Sequence, residues 1–289
     1  MPYTNKFNLP ETICNAIMYE SKYEDGKYSV TNLIKPPQIY QLEKRYQAQI
    51  ERDVSDGLWM LLGSSVHYIL EKAKPENALK EERLEIEMGG IRVVGKPDLY
   101  TARETIEDYK ITSAWSFLLG EKPEWTAQLN IYAYLYSEGY GFPVKKAFIH
   151  AILRDWSKSR LLQDEDYPPC PFITSEIELW DKDSQQAFVI DRIVKHECNK
   201  KISDDVLGYC TPQEKWSKPT TWAVKKKGNK RALRVFDTFS GATDFQKNAD
   251  KDLVIEERPG EDIRCERFCY AKPFCHQYKR EHYILGEKM

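Results

Sequence analysis

The sequence has no long apolar run, no internal repeat and almost no net charge. None of its apolar stretches approaches the roughly 20 residues that a membrane-spanning helix needs, so we expect no membrane partner. Residues 1–6 lack the basic-then-apolar pattern of an export signal, and we therefore expect a cytoplasmic protein. Because 43 lysines and arginines are matched by 45 acidic residues, the chain is not uniformly basic, although a local basic surface is still compatible with the sequence.

The composition is that of a folded chain. Its hydrophobic fraction of 41% is sufficient for a packed core and excludes a mostly disordered protein. We divide the 289 residues into an N-terminal helical entry segment (1–56), a core (57–207) and a C-terminal region (208–289) with a basic hairpin and a cysteine cluster. The core is expected to be α/β, with a central mixed sheet flanked by helices.

Hydrophobic periodicity predicts the helices of this arrangement. A polar helix is expected over 37–53 and an amphipathic helix over 57–73, capped by Ser55 or Asp56. The apolar stripe of the second helix is expected to be buried, and it consists of Trp59, Leu62, Val66, Ile69, Leu70 and Ala73. Further helices are predicted over 123–137 and 183–200. The inward face of the last helix is expected to carry Ala187, Ile190, Ile193 and Val194.

Alternating patterns predict the strands. The segments 84–88 and 91–94 flank Gly89-Gly90, a two-residue hairpin signal. Further strands are expected over 106–111 and 146–153, and a proline-rich loop is expected over 156–174.

Two aspartates and a lysine lie around one predicted strand. Side chains alternate along a strand, so Asp108 and Lys110 share a face, and a hairpin-like return would bring Asp98 beside Asp108. Two adjacent carboxylates need a cation between them, and a hard divalent ion supplies one. The plain alternative is a surface turn with an Asp108–Lys110 salt bridge.

Two helices carry polar rows that fit the same site. Gly63, His67 and Glu71 are spaced by four on the helix before the strands, and Gln128 and Tyr132 are spaced by four on the helix after them. The alternatives are a hydrogen-bonded core histidine and a polar edge on an aromatic-rich helix.

The ordered set Gly63-X-X-X-His67, Gly95-Lys-Pro-Asp98, Glu107-Asp-Tyr-Lys110 and Gln128-X-X-X-Tyr132 resembles the RecB-like branch of the PD-(D/E)XK nucleases. The resemblance covers 63–136 and implies a restriction-endonuclease-like core. It implies that His67, Asp98 and Asp108 bind Mg²⁺ or Mn²⁺, that Lys110 assists hydrolysis, and that Gln128 and Tyr132 support the site. Asp108 stands where many members have glutamate. Glu71 and Glu107 are weaker candidates near the ligands, and the backbone carbonyl of Tyr109 is a further candidate ligand.

The resemblance also implies an activity. The expected activity is that of a metal-dependent deoxyribonuclease with little sequence specificity. We expect an exonuclease that acts in recombination, replication or repair. The substrate is expected to be single- or double-stranded DNA. No Gly-X₄-Gly-Lys-Ser/Thr loop is present, so unwinding would require a helicase or recombination partner. The alternatives are a non-catalytic DNA-binding protein that retains the fold and a zinc-stabilised adaptor.

Three cysteines are clustered near the C-terminus. Cys265, Cys269 and Cys275 are one short of the four thiolates that a cubane iron–sulfur cluster or a structural zinc ion requires. We prefer Cys210 as the fourth, because it lies in a turn context, with Cys14 as its rival. Cys170 and Cys198 are more simply read as incidental. RecB-like nucleases of CRISPR adaptation and of phages are similar in having such a trio, and this resemblance implies [4Fe–4S], with zinc as the alternative.

A basic stretch precedes this trio. Residues 215–234 contain eight lysines and arginines, no acidic residue, and the tryptophans Trp216 and Trp222. Gly228-Asn229 predicts a hairpin with a basic tip. Such a run is either a solvated face or a surface that follows phosphates and offers rings for base stacking. Nothing in it predicts recognition of base edges.

Overall fold

A computed structural model describes residues 2–18, 22–73, 78, 83–118, 120, 122–249 and 252–284. The chain divides into two compact units, Met1–Ile202 and Ser203–Met289. The second unit begins at Ser203, five residues before the boundary at 208 that the sequence predicts. The predicted entry segment 1–56 lies within the first unit. Among the described residues, no helix is both long enough and apolar enough to cross a membrane.

The first unit is built from helices and strands in alternation. Its described helices are α1 (Glu11–Ile17), α2 (Val30–Ile34), α3 (Pro37–Arg45), α4 (Leu58–Lys72), α5 (Ala114–Leu118), α6 (Pro123–Tyr134), α7 (Lys158–Leu161) and α8 (Lys182–Lys200). Its described strands are β1 (Tyr3–Thr4), β2 (Lys27–Ser29), β3 (Arg52–Asp53), β4 (Leu84–Met88), β5 (Ile91–Gly95), β6 (Leu99–Tyr100), β7 (Thr105–Thr112), β8 (Lys146–Leu153) and β9 (Phe172–Ile177).

The main sheet is mixed and has the strand order β6-β7-β8-β9. β7 and β8 pair in parallel from Thr105↔Lys146 to Thr112↔Leu153, and the outer strands pair antiparallel. Parallel neighbours need a crossover, which α5 and α6 provide. The predicted mixed α/β architecture is therefore confirmed.

The predicted glycine hairpin is also confirmed, although it lies in a separate sheet. β4 and β5 pair antiparallel around Gly89 and Gly90, which have φ values of 59° and 79°. Both glycines thus adopt the left-handed conformation that a two-residue hairpin requires. β2 adds to β5 in parallel, giving a three-stranded sheet with the order β2-β5-β4.

Helix α6 lies at the centre of the first unit. All its residues from Ala127 to Tyr134 are buried, and a π-helical turn, Leu135–Gly139, follows it. Asn130 is fully buried and donates to the carbonyl oxygens of Thr126 and Glu178, at 2.9 and 3.0 Å. Its own oxygen accepts from Trp180 N and Gln185 Nε2. A fully hydrogen-bonded amide of this kind can be buried without the large penalty of an unpaired polar group.

Helix α8 has the predicted length but buries a different face. Ala187, Ile190 and Val194 are exposed, and of the residues predicted to point inward only Ile193 is buried. The buried face is polar: the Arg192 guanidinium donates to the carbonyl oxygens of Leu33, Ile34 and Lys35, at 3.0, 3.3 and 2.6 Å. These carbonyls belong to the last turn of α2, which has no helical partners for them. Arg45 likewise donates to the carbonyl oxygens at the end of α8.

The predicted helix over 57–73 forms as α4, but its surroundings differ from the prediction. No residue of α4 is buried, so the apolar stripe that was expected to pack inward lies largely at the surface. Neither Ser55 nor Asp56 caps α4; a 3₁₀ turn (Val54–Gly57) precedes it, and Asp53 caps that turn.

Two other predicted boundaries were wrong. The helix predicted over 37–53 ends at Arg45, after which the chain forms a turn that buries Ile50. The loop predicted over 156–174 contains α7 and the start of β9.

The second unit has its own small sheet. Its described elements are α9 (Pro212–Lys215), β10 (Ser217–Lys218), β11 (Thr221–Lys226), β12 (Arg234–Phe236), α10 (Phe239–Asn248), β13 (Leu253–Arg258), β14 (Glu261–Asp262), α11 (Ile263–Arg267) and α12 (His276–Ile284). The sheet order β12-β11-β13 is antiparallel, and β10 pairs with β14. β11 and β12 form the hairpin predicted around Gly228-Asn229, with a longer connection than two residues.

His196 is the one fully buried histidine of α8. Its Nε2 donates to the carbonyl oxygen of Leu33 at 3.1 Å, and its Nδ1 has no hydrogen-bond partner among the described residues. The rings of Tyr28 and Tyr40 each lie 5.0 Å from the imidazole. Burial in these surroundings lowers the pKa of His196 to about 4, so the folded protein holds this histidine neutral.

Acid should therefore destabilise the wild-type protein more than a His196→Gln variant. The unfolded chain protonates this imidazole near pH 6.5, whereas the folded chain does so near pH 4. The stability it contributes is complete above the unfolded pKa and is lost as the pH falls through this window. We expect an extra loss of about 3 kcal/mol in the wild type at the acid end of the window, measured by urea unfolding.

Glutamine retains a donor for the Leu33 carbonyl, so the variant should fold. His276→Gln, which replaces an exposed histidine, serves as the control and should keep the wild-type pH dependence. Equal pH dependence in the wild type and His196→Gln would contradict this account of the buried imidazole.

Candidate functional site

Strand β7 carries two of the candidate site residues. Asp108 and Lys110 point to the face that α6 covers, and Asp108 is only 3% exposed. Lys110 Nζ lies 2.6 Å from Asp108 Oδ2, so the salt bridge considered as the plain alternative does form. It forms on a buried strand and not on a surface turn. Tyr109 points to the opposite face, where its ring lies 5.3 Å from that of His150.

The backbone of β7 positions Asp98. β6 pairs with β7 only at Leu99↔Glu107 and Tyr100↔Ile106, so the amide of Tyr109 lies just beyond the end of the ladder. Asp98 Oδ2 accepts from that amide at 2.8 Å. A carboxylate thus takes the place of the missing strand carbonyl, which fixes Asp98 beside Asp108 as the hairpin-like return predicts.

Helix α4 brings His67 to the same place. Its Nδ1 lies 3.1 Å from Asp98 Oδ1, and the imidazole side chain is 36% exposed, so it is not a core histidine. Because Nδ1 faces this carboxylate, a metal ion in place of the proton between them would be bound by both His67 and Asp98. The hydrogen bond to Asp98 raises the pKa of His67, and burial opposes that effect.

Helix α6 holds Lys110 from the other side. Lys110 Nζ donates to Gln128 Oε1 at 3.0 Å, and Gln128 Nε2 donates to the Tyr132 hydroxyl at 3.2 Å. The ring of Tyr132 packs tightly on Gly95, because a Cβ there would lie 2.7 Å from Tyr132 Cε1. Gln128 and Tyr132 therefore act together, and the glycine before Asp98 is needed for the close approach of β5 to α6.

These side chains line one open cleft of about 450 Å³. It is lined by all six candidate residues (His67, Asp98, Asp108, Lys110, Gln128, Tyr132) together with Thr31, Ser64, Tyr68, Glu71 and Lys96. Glu71, a weaker candidate in the sequence, pairs with Lys96 at 3.5 Å. Glu107 lies elsewhere, on the opposite face of β7, where it contacts His150 at 3.2 Å.

Sequence reasoning missed Thr31, Ser64, Tyr68 and Lys96. Lys96 could have been found, because it lies inside the Gly95-Lys-Pro-Asp98 motif. Ser64 and Tyr68 are immediate chain neighbours of the Gly63–His67 row. Thr31 gives no comparable signal, since only tertiary packing brings α2 to the cleft.

The two aspartates have opposite electrostatic environments. Burial alone would raise the pKa of Asp98, but the hydrogen bonds from His67 and Tyr109 outweigh it, so the pKa is lowered. Burial raises the pKa of Asp108, and the charge of Asp98 adds to that effect while Lys110 opposes it. The folded protein therefore favours the charged form of Asp98 and disfavours that of Asp108.

The cleft places two carboxylates beside an imidazole. Two carboxylates and an imidazole suit Mg²⁺ or Mn²⁺. Asp108 Oδ2 is buried and, although Lys110 is near, it has no well-aligned hydrogen bond among the described residues. Among all the described residues, no three His, Cys, Asp or Glu side chains surround a common metal position, and the Asp108 carboxylate faces Lys110.

Four cysteines of the second unit affect one another electrostatically, although within the described residues no three of them surround a common metal position. In the described part of the chain no cysteine forms a disulfide. Cys210 and Cys275 are buried, and Cys265 and Cys269 are partly buried. Burial raises the pKa of Cys265 to about 12, and the neighbouring thiols Cys269 and Cys275 contribute to that shift. Burial also raises the pKa of Cys210, with smaller effects from Glu214 and from the thiols of the trio. The four sulfurs are therefore electrostatic neighbours.

Gln277 fixes Cys210 to this group. Its side chain accepts from Cys210 N at 2.8 Å and donates to Cys210 O at 3.1 Å, and it lies two residues after Cys275. Cys14 belongs to the first unit, where its thiol donates to the carbonyl oxygen of Leu9 at 3.5 Å in a small apolar cluster. Cys170 and Cys198 are exposed.

The basic stretch of the second unit has two parts. Lys215 and Lys225 are used in ion pairs with Asp262, Glu281 and Glu256. The connection between β11 and β12 forms an exposed basic tip that consists of Lys226, Lys227, Lys230 and Arg231. The Arg264 guanidinium lies 4.7 Å from the ring centroid of Trp216, and the ring of Trp222 lies 6.4 Å from that of Phe239.

No protein-family model matches the chain, and none of the curated proteins matches it either. Among solved structures, the protein SSO0001 is 22% identical, with coverage of 64% of this chain and 83% of its own, at a TM-score of 0.43. The alkaline exonuclease LHK-Exo from Laribacter hongkongensis is 12% identical, with coverage of 66% of this chain and 95% of its own, at a TM-score of 0.36. The structure of LHK-Exo in complex with dAMP is 11% identical, with coverage of 65% of this chain and 93% of its own, at a TM-score of 0.38. These likenesses are remote, so the chemistry of the site has to be judged from its own side chains.

The opposite environments of the two acids predict opposite effects of neutralising them. In EDTA at neutral pH, Asp108→Asn should raise the free energy of unfolding, because folding disfavours its charge. Asp98→Asn should lower it, because folding favours that charge. Thermal or urea unfolding measures both effects.

Asp166→Asn, in an exposed loop, is the control and should change the free energy of unfolding little. A loss of stability of similar size in both site variants would contradict the assigned electrostatics.

Proposed function

We propose that the chain is a divalent-metal-dependent deoxyribonuclease that hydrolyses phosphodiester bonds. The observation that carries the proposal is the convergence of His67, two carboxylates and Lys110 in one open cleft. These groups come from α4, from the turn before β6 and from β7, so their meeting is a property of the tertiary fold. Acids that bind a metal, next to an ammonium group, are what phosphodiester hydrolysis requires.

His67, Asp98 and Asp108 would hold a Mg²⁺ or Mn²⁺ ion once the Asp108 side chain turns away from Lys110. When bound, such an ion lowers the pKa of a coordinated water and offsets charge on the phosphate. The imidazole ligand favours Mn²⁺ more than a set made only of carboxylates does. Asp98 would stay fixed by the Tyr109 amide, so the site keeps one rigid acid and one that can reorient.

Lys110 would act on the reacting groups themselves. Released from Asp108, its ammonium can orient the attacking water or donate to a non-bridging phosphate oxygen as charge develops there. Water attacks phosphorus, the bond from phosphorus to the leaving sugar oxygen breaks, and a proton passes to the leaving group. Gln128, itself held by Tyr132, keeps Nζ in place during these steps.

We further propose that the enzyme is a RecB-like PD-(D/E)XK nuclease. It would act as an exonuclease with little sequence specificity, in DNA recombination, replication or repair. The quoted motifs support the family, and the exposed basic tip of the second unit supports phosphate contacts that do not depend on sequence.

We also propose that Cys210, Cys265, Cys269 and Cys275 hold a [4Fe–4S] cluster, with zinc as the alternative occupant. The electrostatic proximity of the four thiols supports it, and a bound metal would stabilise the thiolate forms that burial disfavours. The cluster would stabilise the second unit, which is small and has few fully buried apolar side chains in its described residues.

Removing Lys110 or Asp108 should abolish metal-dependent cleavage. We expect Lys110→Ala and Asp108→Asn each to lower the cleavage rate of labelled DNA by at least about 100-fold in Mg²⁺, because each removes a group that acts on the developing charge. EDTA should stop the wild type, and added Mg²⁺ or Mn²⁺ should restore it.

Lys146→Ala is the matched control, since it removes an exposed lysine from the far end of the neighbouring strand. It should cleave as the wild type does. Wild-type activity in Lys110→Ala, with circular dichroism showing an intact fold in all variants, would overturn the nuclease proposal.

Cys210→Ser should lose its metal, whereas Cys14→Ser should keep it. Anaerobic purification followed by absorbance in the visible range and by iron, sulfide and zinc analysis measures both. Iron with a broad visible shoulder supports the cluster, and zinc in a colourless protein supports the alternative. Cys198→Ser is the control for an exposed thiol, and metal retained in Cys210→Ser would contradict the ligand set.

A further inference from the structure

Two exposed tryptophans lie on the first unit near the cleft. Trp59 is 59% exposed and Trp115 is 47% exposed. A single exposed aromatic ring is common on protein surfaces, so any role for these two depends on what lies beside them. Trp59 is at the start of α4, whose later residues Ser64 and His67 line the cleft, and Trp115 is on α5, directly after β7.

An arginine lies over each ring. The Arg154 guanidinium carbon is 4.4 Å from the centroid of Trp59, and that of Arg160 is 5.6 Å from the centroid of Trp115. The ends of β7 and β8 hold these pairs in one region, because Arg154 N donates to Thr112 O at 2.9 Å. Ala114 N likewise donates to the Asp155 carboxylate at 2.6 Å.

Three cations, Arg154, Arg160 and Lys122, lie in this region. Within the described ranges, no carboxylate lies at ion-pair distance from Arg154, Arg160 or Lys122. Burial and, to a smaller extent, the positive charge of Arg154 lower the pKa of Lys122, while Glu124 opposes them. Lys122 donates to Ser116 Oγ and lies 5.0 Å from the centroid of Trp125. We call the group Trp59, Trp115, Lys122, Arg154 and Arg160 the aromatic shelf.

A path leads from the aromatic shelf to the cleft. Trp59, Gly63 and His67 are spaced by four and so form one row on α4, with about 12 Å of helix axis between the first and the last. A Cβ added at Gly63 would meet nothing within 4 Å, so no side chain covers the helix surface between the rings of Trp59 and His67. An extended chain that passes over Gly63 can contact Trp59 and reach His67 at once.

We propose that the aromatic shelf binds unpaired bases of single-stranded DNA and so makes single strands the preferred substrate of the cleft. This inference rests on the proposed nuclease function and specifies its substrate. Base–aromatic stacking needs an unpaired base whose π-face is free, which a duplex hides, and guanidinium groups beside the rings bind the phosphates between bases. These cations lie next to the proposed phosphodiester site and have no carboxylate at ion-pair distance in the described ranges. Such a surface favours a polyanion over a protein partner or a second copy of the chain.

Binding of fluorescein-labelled single strands, measured by anisotropy in EDTA, tests the proposal without cleavage. Trp59→Ala and Trp115→Ala should each weaken binding by roughly five- to 100-fold, as expected for loss of one stacked base. Affinity for a blunt duplex of the same sequence should change less than about twofold. Arg154→Gln should weaken single-strand binding and reduce its salt dependence by about 0.7 in logarithmic slope.

Ile190→Ala and Arg103→Gln are matched controls: the first removes an exposed apolar side chain from α8, and the second an exposed arginine from the turn before β7. Both should bind single strands as the wild type does. In Mg²⁺ the tryptophan variants should need a higher concentration of single-stranded DNA for half-maximal cleavage, since the shelf contributes to binding.

Wild-type single-strand affinity in both tryptophan variants, or an equal loss for single strands and duplex, would overturn the shelf proposal even if the wild type cleaves DNA. Self-association that the tryptophan substitutions abolish in sedimentation, with unchanged DNA binding, would also overturn it. Conversely, stacking-dependent binding by a protein that does not cleave would leave the shelf intact and refute the nuclease function.

Discussion

The contact between the Asp98 carboxylate and the backbone amide of Tyr109 is the constraint on which the cleft depends. It forms where β6 stops pairing with β7, so one short strand leaves a donor that a side chain must satisfy. The second oxygen of the same carboxylate receives His67 from α4. A helix, a turn and a strand are thereby joined at a single acid, and this geometry brings Asp108 and Lys110 within reach of the imidazole.

Stability and chemistry make opposite demands on the second acid. Asp108 is buried next to another negative charge, and Lys110 only partly compensates for that cost. A fold selected for stability alone would not place two carboxylates there. Helix α4 is also placed at a cost in stability, since it contains many apolar residues and buries none of them. It contacts α1 and is attached to the rest of the unit by the His67–Asp98 hydrogen bond. The helix that supplies the imidazole is therefore also the one whose apolar surface is available to a ligand.

The sequence predicts the strands and the spacing of the site better than it predicts which faces are buried. β8 and the glycine hairpin follow from local alternation and from Gly89-Gly90, and the row containing His67 follows from helical spacing. The face of α8 could not be predicted, because apolar Ile190 and Val194 lie outside while Arg192 and His196 lie inside, where distant carbonyls satisfy them. The exposed stripe of α4 was also missed, since hydrophobic periodicity predicts a buried face and no residue of α4 is buried. Thr31 reaches the cleft only through tertiary packing.

The reciprocal capping between α2, α3 and α8 affects how this protein is made. Arg192 reaches Lys35, and His196 reaches Leu33, across 157 and 163 positions of the chain. On the ribosome, the N-terminal segment emerges long before its partners exist, so its last helical carbonyls depend on water during most of translation. Contacts at such separations form late and slowly. We therefore expect the first unit to fold cooperatively only after α8 has been translated. A nascent chain that pauses earlier would expose unburied apolar side chains to chaperones and proteases.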